Sequence, residues 1–393
     1  MRFGLFHNIH DLTRQRDYAD LLDELRELAA ICEDTDFDVL WMPEHHFSVW
    51  GREMLPNPLM TAVDLAARTK RIRIGLAAAI VTFWHPLRAA EDIALLDQIT
   101  GGRVEIGFGR GNYGLEAANL NPEANPNDQA KSKLVFDEAI SVIKAALSQE
   151  RFSFKGEIYQ FPAPGFAADR AHTVKDPDYI DPSTGELIKL SIYPRARQNP
   201  LPMWEVVNSL DSIQHAARQD LGIIMWRPPV AALRERLRVY RDTLREANGK
   251  DLSLGERAAI MRDTFVADTE EEAVRIAGGP MMESLNFSNW RGPGVFLDPG
   301  EKLPAEQEAA QKKSLTYDFV RDRSVYFGPP EKIVQQILHL HRETGMSSVI
   351  FKTSWAGLPH AAVRESVRRL GTEVIPAVRA ALCAEQHRAV AAE

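Results

Sequence analysis

Residues 72 to 109 read IRIGLAAAIVTFWHPLRAAEDIALLDQITGGRVEIGFG. The first ten are apolar almost throughout, which is the composition of a parallel strand covered on both faces. An amphipathic helix follows over about 88 to 99, and Gly101-Gly102 then turns the chain into another apolar strand ending near Gly109. Strand, helix and strand in succession form a parallel crossover unit, which places the chain among the α/β folds.

The same alternation extends in both directions. Residues 2 to 7 and 38 to 43 have the length and composition of strands, and between them Tyr18, Leu21, Leu22, Leu25, Leu28, Ala29 and Cys32 define one helical face. Asn57-Pro58 marks a helix start, with a capping side chain followed by proline at the first helical position. Further strands are expected near 202–207, 222–226, 258–266 and 347–353. Helices are expected near 132–148, 211–219, 230–247, 270–277 and 331–344, and a last one carries Val363 to Leu382 on one face. Eight strands each followed by a helix is the count of a closed (β/α)8 TIM barrel. A doubly wound open sheet has the same alternation, and periodicity does not show closure. The expectation is one barrel domain over 1–393 with two insertions. One, after the fourth helix (about 150–201), opens with a hairpin in RFSFKGEIYQF. The other, after the seventh strand (about 278–329), is too long for a plain connection and is expected to act as a lid.

Composition excludes several function classes. The chain has 393 residues and a net charge of -8, and it contains no basic block long enough to neutralise a run of phosphates, so nucleic acid is not an expected partner. No apolar run approaches the roughly 20 residues of a membrane span, and the N-terminus lacks the apolar core of a secretion signal. The expectation is a cytoplasmic protein. Cys32 and Cys383 are the only cysteines, and neither has a CxxC partner.

In such barrels the chemistry lies at the C-terminal ends of the strands. The second strand ends in VLWMPEHHFS, residues 39 to 48. Adjacent residues on an extended chain point to opposite faces, so His45 and His46 do not both reach one metal unless the chain turns there, and no second ligand cluster supports one. That leaves a catalytic or a surface histidine, and the strand-end position favours one of the pair acting in a pocket. The fifth strand ends in VNSLDS, residues 207 to 212, where Ser209, Asp211 and Ser212 suit a helix cap. A helix N-terminus with hydroxyl side chains also suits a phosphate, and Arg110 at the end of the preceding strand adds a fixed cation. The run GFGRG, 107 to 111, lacks the G-x-G-x-x-G spacing of a dinucleotide site. Its glycines instead allow a flat ligand to approach the backbone closely.

These residues carry a resemblance. FDVLWMPEHHFS (37–48), HPLRAAEDIALLDQITGGRVEIGFGRGNYG (85–114) and FGPPEKIVQQILHLHRETGMSSVI (327–350) are similar, in order, to motifs of the bacterial luciferase-like flavin-dependent monooxygenases. The resemblance implies reduced FMN and O2 acting through a C4a-(hydro)peroxyflavin on a small hydrophobic organic substrate. His45 matches the family's active-site histidine. Arg110, Ser209 and Ser212, with Asn208 beside them, match the flavin phosphate site. Ala77, Ala78 and Val206 match contacts to the ring, with a non-proline cis peptide often found at the alanines. Gly109 stands where light-emitting members carry a cysteine, so light emission is not expected. Phe6, Glu44, Trp84, Trp226 and Trp355 are candidates for the substrate pocket. The sequence contains no second nucleotide motif, so the reduced flavin is expected from a separate reductase, and the resemblance implies a homodimer through helices near 58–70 and 88–99. The same superfamily contains F420-dependent dehydrogenases and non-catalytic flavin-binding proteins, which are the alternative readings.

Overall fold

The computed structural model describes residues 1–167 and 176–390, so part of the first insertion lies outside the described residues. Eight parallel strands form a ring: β1 (Arg2–Phe6), β2 (Val39–Met42), β3 (Arg73–Ile80), β4 (Val104–Gly109), β5 (Met203–Val206), β6 (Gly222–Trp226), β7 (Ala258–Val266) and β8 (Ser348–Lys352). Successive strands pair with each other, β6 pairs with β7 through Ile223 opposite Ala258, and β8 pairs with β1 through Ser348 opposite Arg2. Those last pairings decide the closed barrel over the open sheet.

Local chemistry sets the helix boundaries. Asp17 accepts from the Ala19 N–H at 2.9 Å to open the helix Tyr18–Asp34, and Asn57 accepts from Met60 at 2.9 Å ahead of Pro58–Arg68. Cys32 is fully buried on the first of these, and burial pushes its thiol pKa up.

Side chains fill the barrel in layers. At the N-terminal end the buried Glu105 carboxylate takes Arg2, the Arg73 Nε at 2.6 Å and the Trp204 indole N–H at 3.0 Å. Above it Trp41 and Trp204 meet edge to face, with ring centroids 6.0 Å apart. Gly75 on β3 and Gly222 on β6 leave room for these indoles, since a Cβ at 222 would stand 2.5 Å from Trp204 Cε3. The pleat then turns Phe6, Ala77, Val206, Trp226 and Lys352 towards the C-terminal mouth.

The hairpin expected in the first insertion forms between Phe154–Lys155 and Gln160–Phe161. Glu138, buried on the helix Gln129–Ser148, accepts the N–H groups of Glu157, Ile158 and Tyr159 at 2.6 to 3.0 Å and pins the turn to the barrel. The second insertion is more ordered than a long loop. It forms helices Gly279–Phe287, Ala305–Lys313 and Tyr317–Ser324, then a strand, Val325–Gly328, that pairs with β7 beyond the end of β6. Met281, Leu285, Phe296, Phe319 and Val320 give this insertion a core of its own. The last helix is also divided, with His360–Arg369 and Ile375–Val390 joined through a wider π-type turn at Leu370–Val374.

Candidate functional site

Two joined chambers open at the C-terminal mouth, of about 390 and 190 Å³. Pro43, His45, Ala77, Asn112, Val206 and Asn208 line both and form the shared wall.

The larger chamber is shaped by β3 and β4. The Ala77–Ala78 peptide is cis, and the pairing of β3 with β4 slips between Leu76 and Ala79. Gly109 faces this irregularity, where a Cβ would stand 2.8 Å from Ile80 Cδ1 and 3.0 Å from Ala78 Cβ. The result is a wall of backbone and methyl groups that a flat ring can approach. At the outer end, the helix Leu210–Arg218 points its N-terminus into the chamber. Ser209 and Ser212 cap it reciprocally, with the Ser212 hydroxyl accepting the N–H of Asn208 at 3.1 Å and of Ser209 at 3.0 Å. Arg110 reaches the same end and donates to Gln129 at 2.6 Å. Ala77, Ala78, Gly109, Arg110, Val206, Asn208, Ser209 and Ser212 all line this chamber, as does Asp211.

The helix Gln129–Ser148 adds residues that strand-end reasoning missed. Gln129 and Lys133 line the same chamber, and Asp137 joins a buried group with Glu205 and His215. His215 Nδ1 is 2.7 Å from Glu205 and Nε2 is 3.0 Å from Asp137. Burial opposes its charge, but the two carboxylates outweigh it and raise the His215 pKa to about 9. The same burial raises Glu205. No local pattern links positions 137, 205 and 215; only the packing of the helices Gln129–Ser148 and Leu210–Arg218 beside β5 does.

The EHH stretch turns so that its three side chains take different roles. Glu44 is a buried clamp that accepts the Ile80 N–H at 2.8 Å, the Trp84 indole at 2.9 Å and His46 Nε2 at 2.9 Å. It lines the larger chamber rather than the smaller one. His45 faces both chambers, with Nδ1 3.5 Å from Glu116 and Nε2 3.7 Å from Glu53. Burial lowers its basicity, while Glu53, Glu116 and Glu44 together raise its pKa above the ordinary value. Among the described residues no His, Cys, Asp and Glu group is arranged to hold a metal.

Phe6 and Trp226 line the smaller chamber beside Met261, and the second insertion roofs it with Ser284, Phe287 and Trp290. Arg227, in the left-handed region at φ 87°, stacks 3.8 Å from the Trp226 ring and donates to Ser288, tying that roof to β6. Two expected wall residues lie elsewhere. Trp84 is held by Glu44, and Trp355 is buried behind the mouth, donating its indole N–H to Asp263 at 3.0 Å. Each indole N–H needs an acceptor once buried, and those carboxylates supply it from distant parts of the chain. Lys352 and Glu53 also line this chamber, and neither was marked by the sequence.

A barrel whose mouth joins a helix N-terminus beside Arg110, a wall of backbone and methyl groups and a second chamber lined by His45 has the form of an enzyme site that a planar, phosphorylated cofactor would fit. The chain belongs to the luciferase-like monooxygenase family, whose model matches residues 1–348, and it is an oxidoreductase of that family. It is 26% identical over 396 residues to a flavin-dependent trigonelline monooxygenase, oxygenase component, of Acinetobacter baylyi, covering 100% of this chain and 99% of that one. Among solved structures, the oxygenating constituent of 3,6-diketocamphane monooxygenase of Pseudomonas putida, in complex with FMN, superposes with a TM-score of 0.72 at 21% identity, over 96% of this chain and 98% of that one. An F420-dependent secondary alcohol dehydrogenase shares the fold at a TM-score of 0.66 and 17% identity, over 96% of this chain and 98% of that one.

Proposed function

We propose that the chain is the oxygenase of a flavin-dependent monooxygenase, taking reduced FMN and O2 to oxygenate a small organic substrate. The observation that carries this reading is the larger chamber, where a phosphate-type helix end and Arg110 stand at one end of a wall made flat by Ala77, Ala78 and Gly109. The residues fit the cofactor. Arg110, Lys133 and the N-terminus of Leu210–Arg218 would hold the phosphate, and the alanines and Val206 would contact the ring. When bound, reduced FMN supplies two electrons and the ring position at which O2 is activated.

The protein's own groups supply the remainder. His45, on the shared wall, would hold or deliver a proton between the two chambers, with Glu116 and Glu53 setting its charge. The roof from the second insertion keeps water from the smaller chamber and is the segment that would open and close. A separate reductase would supply the reduced flavin in the cytoplasm, in keeping with the oxygenase-component name of the Acinetobacter relative. Among the described residues no helix is long and apolar enough to cross a membrane. A homodimer would cover Met60 and Val63 on Pro58–Arg68 with Leu95 and Ile99 on Pro86–Ile99, apolar side chains exposed on two adjacent helices. Sedimentation showing a monomer alone would remove that part.

The test is anaerobic titration with reduced FMN followed by stopped-flow mixing with O2. Tight binding and an absorbing species that is neither reduced nor oxidised flavin are expected. Binding of F420 in place of FMN, with no oxygen-dependent species, would move the chain to the dehydrogenases of its superfamily. Binding of flavin without any turnover would make it a carrier.

A further inference from the structure

We infer that the smaller chamber selects a ring-bearing organic carboxylate, with the acid group held by the ammonium of Lys352. This rests on the flavin reading above, which gives that chamber to the substrate. Lys352 is the last residue of β8, and the pleat that turns Ile350 into the barrel turns Lys352 into the chamber, where it is 8% exposed. An ammonium has three hydrogen-bond donors. Its nearest carboxylate oxygen, Oδ1 of Asp263, is 3.8 Å away and already accepts the Trp355 indole at 3.0 Å. The other oxygen of Asp263 accepts the Trp226 indole at 2.9 Å. Ser284 Oγ, on the roof, lies at 3.4 Å, the outer edge of hydrogen bonding, and the Trp226 ring centroid at 4.4 Å. Lys352 therefore has donor capacity that its protein neighbours do not fill.

Most of the charge that lines the chamber is positive. Among the described residues that line the chamber, the cations are Arg52, Arg227, Arg236 and Lys352, and the carboxylate is Glu53, which bonds the Tyr113 hydroxyl and stands 3.7 Å from His45. His10, on the same lining, is held neutral with its pKa lowered to about 4, by burial first and by the charge of Lys352. Burial likewise lowers the Lys352 pKa, with Asp263 restoring part of it and Arg227 opposing. An ammonium taken out of water in such a setting is stabilised by an anion that supplies the missing acceptor. Trp226, Phe287, Phe6 and Tyr113 line the same space, and their apolar surface suits an aromatic or other flat ring attached to that anion.

The probes are benzoate and benzamide, which have nearly the same shape and differ in charge. Each is titrated into the wild type, Lys352→Met and Lys352→Arg, with and without saturating FMN, and read by quenching of tryptophan fluorescence. Benzoate is expected to bind the wild type about tenfold more tightly than benzamide, the scale of one charge-assisted hydrogen bond. Lys352→Met should abolish that preference, and Lys352→Arg should keep it. Equal binding of the two probes, binding of neither, or a preference that survives Lys352→Met overturns the proposal. The wild-type ratio decides alone if a variant does not fold. FMN titration of the same samples separates the two readings, because failure to bind FMN with the benzoate preference intact sinks the flavin assignment and leaves the anion site standing.

Discussion

The Nδ1 of His45 stands 3.5 Å from Oε1 of Glu116, the same oxygen that accepts the backbone N–H of His46 at 2.7 Å. One buried carboxylate thus fixes the chain after β2 and biases the charge of the histidine between the two chambers.

Replacing Glu116 by Gln keeps an acceptor for His46 and removes the negative charge. The raised pKa of His45 should then fall, and the alkaline limb of the pH–rate profile should move to lower pH, as expected for loss of a nearby opposite charge. His45→Asn should lower kcat by about 10²- to 10⁴-fold with FMN affinity little changed. A pH profile unmoved in Glu116→Gln would separate His45 from the rate-limiting proton.

Arg110 distinguishes a phosphate site from a general flavin surface. Arg110→Ala should weaken FMN about tenfold or more and leave riboflavin, which has no phosphate, nearly unchanged. Equilibrium fluorescence titration of both flavins gives the answer, and equal losses for the two would move the phosphate elsewhere.

Gly75 is needed by the core rather than by the site. A Cβ there would lie within 2.6 Å of Trp41 Cζ3, with two further indole atoms closer still, and the indole is wedged against Gly4 and Trp204. Gly75→Ala should cost about 1 to 3 kcal/mol through overpacking. Chemical denaturation is the check, and a stability equal to wild type would mean that Trp41 has room to move.

His215 links stability to pH. Its pKa is raised from 6.5 to about 9 in the folded chain, so its contribution is fully present below pH 6.5 and is lost as pH rises through about 9. His215→Phe should therefore be less stable than wild type near pH 6, by about 2 to 3 kcal/mol, and the gap should close towards pH 9.5. A gap that stays constant across this range would mean that the ring's packing against Phe136, not its charge, is what matters.

The alternation of apolar strands with amphipathic helices, the Asn57-Pro58 cap, the hairpin at 154–161 and the position of His45 after β2 are all properties of short stretches of chain, and short-range sterics and periodicity make them readable in sequence. The placement of Arg110 at a strand end and of Ser209 at a helix start was readable too, because each of those boundaries carries its own signature. Closure of the ring by β6 on β7, the pairing of Val325–Gly328 with β7, and the gathering of Asp137, Glu205 and His215 depend on residues far apart in the chain, and no local pattern encodes them. Trp84, Trp226 and Trp355 look alike in sequence, and buried carboxylates hold all three indole N–H groups, Glu44 the first and Asp263 the other two, yet only Trp226 lines the chamber. Lys352 reads as a polar residue ending a strand. Only the phase of the pleat within a closed barrel turns its charge inward, where burial makes it matter.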